Sequence, residues 1–244
     1  MTTAFALVAA AAFVAAVIQR ITGLGFVLVL IGPVVLVYGA VEGVTIGVIL
    51  ALTAAVAAIP LVWREVDRRR AWHLIWPGLI TAPVGALVVQ LLPEPALLLL
   101  VAGMAFLALL AGHLPALTTA FAGRSGAVAA GAAAGFMHVT SGLSGPPLAA
   151  HAVGDRWPQR SFAATVQLIF AVLSLASVAL RGLPALPPLE LGVLVVATAA
   201  GILIGTLMSA RVPTRVARTL MLTIAWMGAV VVLVRGVVSL ATAA

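Results

Sequence analysis

The stretch HVTSGLSGPP at residues 138–147 interrupts an apolar run that extends from residue 126 to residue 153. Two glycines and two prolines within ten residues end a helix, so this run is predicted to break near Gly142. A similar stretch, QRITGLGF at residues 19–26, interrupts the apolar run at residues 4–38. Broken helices in apolar surroundings are typical of transporters, because the freed backbone groups must face protein or a water-filled cavity.

The composition places both breaks in a membrane protein. Of the 244 residues, 64% are hydrophobic and 8% are charged, whereas soluble domains average roughly 45–50% and 25%. A span needs about 20 residues, so the chain is predicted to be one all-α polytopic membrane domain, residues 1–244, with about eight to ten transmembrane or re-entrant helices. Residues 4–18 resemble a signal-peptide core, but no basic residue precedes them, so a first membrane segment is expected.

The residue types exclude several function classes. All 13 basic residues are arginines and the formal charge is +7; because the arginines lie in short loops, they indicate the positive-inside pattern and no nucleic-acid partner. Without cysteine there are no disulfides, thiolate metal sites or iron–sulfur clusters. Four dispersed histidines give no metal-ligand spacing. The six acidic residues lie in or beside loops, and HExxH, GxSxG and P-loop motifs are missing, so neither an enzyme nor a cofactor is expected.

A repeat relates the two breaks. TGL at residues 22–24 recurs as SGL at residues 141–143, a shift of 119. Further matches follow at a shift of 120: Gly85, Leu87, Pro93, Leu100 and Ala105 recur as Gly205, Leu207, Pro213, Leu220 and Ala225. Transporter folds are often built from such internal repeats. We therefore predict a duplication, with repeat 1 at residues 1–118 and repeat 2 at residues 119–244.

The loop charges predict that the two repeats are inverted. The loop at 64–70 holds four arginines, and its counterpart near 181–190 holds one. The loop at 92–95 holds only an acidic residue, and its counterpart at 211–218 holds three arginines. Cytoplasmic loops carry the excess of arginine, so corresponding loops are expected on opposite sides. Inverted repeats need an odd number of membrane crossings in each half. Residues 43–113 supply three, so the chain before them must cross an even number of times. A broken hairpin at residues 4–38 meets this requirement.

The two breaks are the candidate substrate site. Half-helix N-termini attract anions, and glycine allows a close approach to the backbone. The candidate substrate-binding residues are Gln19, Arg20, Thr22, Gly23 and Gly25 at the first break, His138, Thr140, Ser141, Gly142, Ser144 and Gly145 at the second, and Gln167 on the span at 162–180, which also presents Ser174 on the same face. These groups are rich in donors and contain no carboxylate, which favours an anion.

Simpler interpretations of these residues remain open. Arg20 inside an apolar segment is a functional-site hypothesis by default, but it could also extend toward an interface. His138 could carry a proton or be a neutral, hydrogen-bonded histidine in the bundle. The hydroxyls and glycines could serve only close helix packing. The small-residue pairs Gly43/Gly47, Gly131/Gly135 and Gly201/Gly205 are predicted to mark such packing.

The breaks resemble the signatures of a known family. GF at 135–136 followed by SGLSGPPL at 141–148 looks like the second-half signature of the TauE/SafE sulfite exporter family, and TGLGF at 22–26 with GP at 32–33 looks like the first-half signature. The first motif departs from the family pattern, because many members carry three or more consecutive glycines there. The length and the duplicated plan also fit. The resemblance implies transport of sulfite, organosulfonates or related small anions.

The sequence therefore predicts a secondary transporter, an exporter or permease, for a small sulfur-containing anion. It is expected as a multi-pass protein of a bacterial inner membrane, with the anion and the lipid bilayer as its partners; homodimer formation is left open. One alternative from another class is a membrane-embedded assembly factor without transport activity. A second is a membrane enzyme, which the missing intramembrane carboxylates disfavour.

Overall fold

The computed structural model describes residues 3–110 and 115–243. Within these ranges the chain forms ten α-helices and one short 3-10 turn, and no strand. The helices are α1 (Thr3–Thr22), α2 (Phe26–Val62), α3 (Arg68–Leu91), α4 (Glu94–Leu110), α5 (Pro115–Ala120), α6 (Gly123–Ser141), α7 (Gly145–Gly154), α8 (Gln159–Arg181), α9 (Pro188–Met208) and α10 (Thr214–Ala243). The last of the three crossings predicted at residues 43–113 corresponds to α4, and residues 111–113 lie outside the described residues.

Six helices in the described ranges are long and apolar enough to cross a membrane: α1, α2, α3, α8, α9 and α10. The shorter α4 is also apolar. Their surfaces expose many large hydrophobic side chains, such as Leu91, Leu189 and Val196, as lipid-facing helices do. The prediction of an all-α polytopic membrane protein is confirmed.

Both predicted helix breaks are present, and they share the same backbone geometry. At the first break Gly23 has φ +84 and its N–H bonds to the carbonyl of Gln19 at 2.7 Å. At the second break Gly142 has φ +74 and its N–H bonds to the carbonyl of His138 at 2.9 Å. A glycine in the left-handed region commonly ends a helix in this way. The two pairs are related by the shift of 119 that the sequence shows.

Each break is followed by a short helical segment. After the first break, α2 runs to a kink at Gly39, where φ is +83 and ψ is 177. After the second, α7 has 10 residues. At 1.5 Å per residue, segments of this length span roughly 15–20 Å, less than the ~30 Å hydrocarbon core. Neither segment can cross a membrane alone, as expected for the half of a broken hairpin.

Helices from the first half of the chain pack against helices from the second half in two reciprocal pairs. Helix α1 lies against α9, and α6 lies against α3. Both contacts use glycines: a Cβ at Gly135 would overlap the backbone of Gly78, and a Cβ at Gly201 would lie 2.5 Å from the carbonyl oxygen of Phe13. The predicted packing role of Gly131/Gly135 and Gly201/Gly205 is confirmed by these contacts.

The pair Gly43/Gly47 behaves differently from the prediction. A Cβ at Gly43 would come within 2.8 Å of the Val34 carbonyl oxygen, across the kink in α2. At Gly47 an added Cβ would meet no atom within 4 Å. The packing prediction for Gly47 is wrong: the residue is buried but makes no close contact, because the spacing of small residues identifies a helix face and not how closely a neighbour approaches it.

One end of the helix bundle is rich in arginine. Arg160 forms an ion pair with Glu65, and Arg70 lies over the ring of Trp157, 4.8 Å from its centroid. These contacts bring the loop after α2 beside the start of α8. We call this end the arginine face. At the opposite end the guanidinium of Arg181 donates to the carbonyl oxygens of Val41 and Val139.

Candidate functional site

A cavity of about 330 Å³ lies between the two breaks. We call it the main cavity; its volume is at the lower end of the roughly 300–1,000 Å³ typical of small-molecule sites. Both breaks contribute to its wall, and α4, α5, α8 and α10 close the sides. Of the predicted site residues it includes Gln19, Gly25, His138, Gly142, Ser144 and Gly145. The lining within the described residues contains no aspartate or glutamate.

Two helix N-termini meet at the main cavity. Helix α2 begins after Gly25, and α7 begins after Ser144; neither N-terminus has a side-chain cap. The first N–H groups of a helix have no intrahelical partner and carry partial positive charge. Pro146 and Pro147 remove two of these donors from α7, so the first turn of α2 contributes more backbone donors than α7 does.

His138 is buried beside the cavity and bonds through both ring nitrogens. Its Nδ1 lies 2.7 Å from Oγ of Ser144, and its Nε2 lies 2.8 Å from Oγ of Ser174. Hydroxyls can both donate and accept, so either neutral tautomer is satisfied. Ser144 precedes α7 directly, and therefore His138 ties the start of α7 to α8. Ser174 joins the site from the face that the sequence pairs with Gln167.

Gln19 forms the wall on the other side. Its Nε2 donates to Oε1 of Gln167 at 3.0 Å, and Nε2 of Gln167 donates to the carbonyl oxygen of Gly23 at 3.2 Å. Both glutamine side chains are buried. The pair thus connects the end of α1, the first break and α8 through neutral hydrogen bonds.

Three predicted hydroxyls bond to the backbone of their own segments. Oγ1 of Thr22 donates to the carbonyls of Ile18 and Leu24. Oγ of Ser141 donates to the carbonyl of Met137 and accepts from the N–H of Leu143. These two side chains hold the breaks in shape, again in a matched way.

Thr140 likewise donates to the carbonyl of Phe136, at 2.9 Å. Thr22, Gly23, Thr140 and Ser141 are not among the residues that line the main cavity. Gly23 nevertheless shapes the wall through its carbonyl bond to Gln167.

Arg20 does not reach the main cavity. Its Nε donates to Oγ1 of Thr206 on α9 at 2.8 Å, and its side chain is half-buried. It lines a separate cavity of about 240 Å³ together with Gln167 and Gln19, and among the described residues only Gln19 borders both cavities.

Sequence reasoning missed Arg218 as a cavity residue. It lies on the first turns of α10 and lines the main cavity, as do Thr118 on α5 and Val153 at the end of α7. The sequence presents it only as a loop-side arginine, because its position depends on how α10 packs across the bundle. The apolar lining was missed for the same reason; it includes Phe26, Leu109, Phe170, Met221 and Leu222. No cluster of three metal-ligating side chains occurs among residues 3–110 and 115–243.

If the chain transports an anion as the sequence predicts, replacing His138 by Ala should lower the flux about tenfold without abolishing it. The change leaves Ser144 and Ser174 without their shared partner, and each such hydrogen bond contributes about 0.5–1.5 kcal/mol. The measurement is the initial rate of flux in proteoliposomes at matched protein content. Ser174→Ala removes only one of the two bonds and should have the smaller effect. Equal rates for His138→Ala and the original protein would contradict a role of His138 in positioning α7.

Comparison with known proteins gives one family. The family model described as Sulfite exporter TauE/SafE matches residues 8–232. This range covers nearly the whole chain and includes both breaks. Searches among curated proteins and among solved structures gave no match.

Proposed function

Because the chain belongs to the TauE/SafE sulfite exporter family, we propose that it is a secondary transporter of a small sulfur-containing anion, sulfite or an organosulfonate, in a bacterial inner membrane. The anion binds in the main cavity, between the breaks at Gly23–Gly25 and Gly142–Ser144. One observation carries this proposal: two uncapped helix N-termini border a single cavity that no acidic residue lines within the described part of the chain.

The electrostatics of the main cavity suit an anion that must also leave. An anion that enters a low-dielectric cavity loses its hydration and needs N–H and O–H donors in return. The first turn of α2, the amide of Gln19 and the hydroxyl of Ser144 supply such donors without a full charge. Arg218 adds a full positive charge from the cavity lining.

We further propose that residues 1–118 and 119–244 are inverted repeats around this site. Three observations support it: corresponding loops carry opposite charge bias, the two breaks share one backbone geometry at a shift of 119, and α1–α9 and α3–α6 pack reciprocally. Inverted repeats place equivalent broken helices on opposite sides of a central site, which allows access to alternate between the two faces.

A labelling experiment tests the inversion. Single cysteines at Arg68 and Arg215 should both react with an impermeant maleimide from the cytoplasmic side, and a cysteine at Glu94 should react from the other side. The chain has no native cysteine, so every signal comes from the introduced residue. Labels at residues 68 and 215 that report opposite sides would refute the inverted arrangement.

The proposed function is tested by flux into proteoliposomes that contain the purified protein. A concentration gradient of radiolabelled sulfite or of a short radiolabelled alkanesulfonate is imposed across the liposome membrane, with and without a pH gradient. We expect uptake above that of protein-free liposomes for at least one of these anions. No flux of either anion under any gradient would reject the proposal and favour a membrane-embedded assembly factor.

A further inference from the structure

The second cavity has a polar lining, unlike the mostly apolar main cavity. Its polar groups are Gln19, Arg20, Glu65, Arg160 and Gln167. Its apolar lining consists of Ala58, Leu61, Val62, Ala163, Ala164 and Ile202. The Arg160 side chain is 84% exposed, so this cavity opens at the arginine face, while the buried Gln19–Gln167 pair forms its inner end.

Arg20 is held in this cavity by α9. The Nε–H bond to Thr206 fixes the plane of the guanidinium. A Cβ at Gly205 would lie 2.8 Å from Cβ of Arg20, so only a residue without a side chain leaves room for Arg20 to pass. A guanidinium has five N–H donors in a fixed fork that matches oxyanion geometry. With Nε committed to Thr206, the terminal nitrogens are the donors that a bound oxyanion would use.

Glu65 places a carboxylate in the same cavity. It is ion-paired with Arg160 and lines the same cavity as Arg20. A carboxylate and a small oxyanion such as sulfite are recognised by arginine through the same N–H···O geometry. Glu65 therefore occupies, as a tethered anion, part of the position that a free oxyanion would take.

The inner end of the cavity is closed by an uncharged contact. Gln19 borders both cavities, and its hydrogen bond to Gln167 is the contact between them. A neutral hydrogen bond of this kind contributes about 0.5–1.5 kcal/mol, and breaking it separates no opposite charges. Its amide N–H groups can also donate to an anion on either side.

We propose that the second cavity is a second anion-binding site, in which Arg20 and Arg160 bind a small oxyanion in exchange for the carboxylate of Glu65. The Gln19–Gln167 pair separates this site from the main cavity and passes the anion between them. The passage between sites rests on the proposed function, whereas binding by Arg20 and Arg160 does not. The anion would therefore bind first, or last, at the arginine face before it enters or after it leaves the main cavity.

Equilibrium binding of radiolabelled sulfite to the purified protein in detergent tests the site. We expect two anions per chain at saturation for the original protein. Arg20→Gln should weaken the second site roughly tenfold or more, because it removes charged hydrogen bonds. Arg69→Gln is the matched control: it removes the same charge from an exposed position that lines neither cavity, and it should bind two anions.

Glu65→Gln changes binding in the opposite direction. Removal of the tethered competitor should tighten the second site about tenfold, since Arg160 is then released for the anion. A merely structural Glu65–Arg160 pair would predict no gain. Weaker binding in Glu65→Gln, or unchanged sulfite binding in Arg20→Gln, would overturn the proposal.

Side-specific kinetics separate this site from the main one. Transport is measured separately in right-side-out and in inside-out vesicles. Arg20→Gln should raise KM about tenfold for transport that starts at the arginine face and leave KM from the opposite face unchanged. An equal effect from both faces would overturn the second site. If the original protein binds sulfite through Arg20 but shows no flux of any anion, the proposed function fails while the second site stands.

Discussion

Gly142→Val is expected to lose nearly all anion flux while the protein still inserts and folds. Gly142 has φ +74, a conformation that costs a β-branched residue about 1–3 kcal/mol. A Cβ there would lie only 2.9 Å from Cγ1 of Val27, on the first turn of α2. The branched methyls of valine would push apart the two helix N-termini that border the main cavity.

The measurement is sulfite or sulfonate flux in proteoliposomes at equal reconstituted protein, with size-exclusion profiles to verify folding. Gly47→Ala is the control, because its Cβ meets no atom within 4 Å and alanine favours the helix that contains it. It should transport at the original rate. Normal flux in Gly142→Val would place the site elsewhere, and the breaks would then act as hinges or packing notches.

Local chemistry explains what the sequence predicts well. Gly23 and Gly142 end helices through their own backbone freedom, so both breaks can be found without knowledge of the fold. The shift of 119 can also be found in the sequence alone, and it anticipates the matched bonds to the carbonyls of Gln19 and His138. The apolar runs predict membrane helices because each span in lipid must satisfy its backbone N–H and C=O groups internally.

The direction of individual side chains is a different matter. Thr22 and Ser141 have donors that fit an anion site, yet both bond to carbonyls of their own helices, as hydroxyls in apolar helices often do. Arg20 follows Gln19 directly, but successive helix residues lie about 100° apart, so the two side chains point to different neighbours. Only Gln19 reaches the main cavity.

Tertiary packing decides the remaining features. Arg218 lines the main cavity because α10 crosses the bundle there, and no local pattern specifies that crossing. The kink of α2 lies at Gly39, where the helix continues after one residue of non-helical backbone. The sequence predicts two separate apolar runs at this point, since glycine weakens a helix without showing whether the chain resumes it.

The position of the second break depends in turn on the contact between α3 and α6. These helices approach so closely that a Cβ at Gly135 would overlap the Gly78 carbonyl oxygen, and a Cβ at Gly131 would overlap that of Leu74. Backbone atoms cannot rotate away as side chains do. Because α6 ends at Ser141, any displacement from α3 moves His138 and the wall of the main cavity with it.

Gly135→Val should therefore be the most destabilising single substitution among these packing glycines. Overpacking a tight contact costs about 1–3 kcal/mol and more where backbone must move, which corresponds to an apparent melting temperature lower by several degrees, roughly 2–4 °C per kcal/mol. Thermal unfolding in detergent measures it, with flux as a second readout that should fall in the fraction that remains folded. Gly103→Val on α4 is the control, because an added Cβ there meets no atom within 4 Å. Equal melting temperatures for the two variants would show that α3 and α6 can separate freely, and the second break would then be held by α8 through His138 and Ser174 alone.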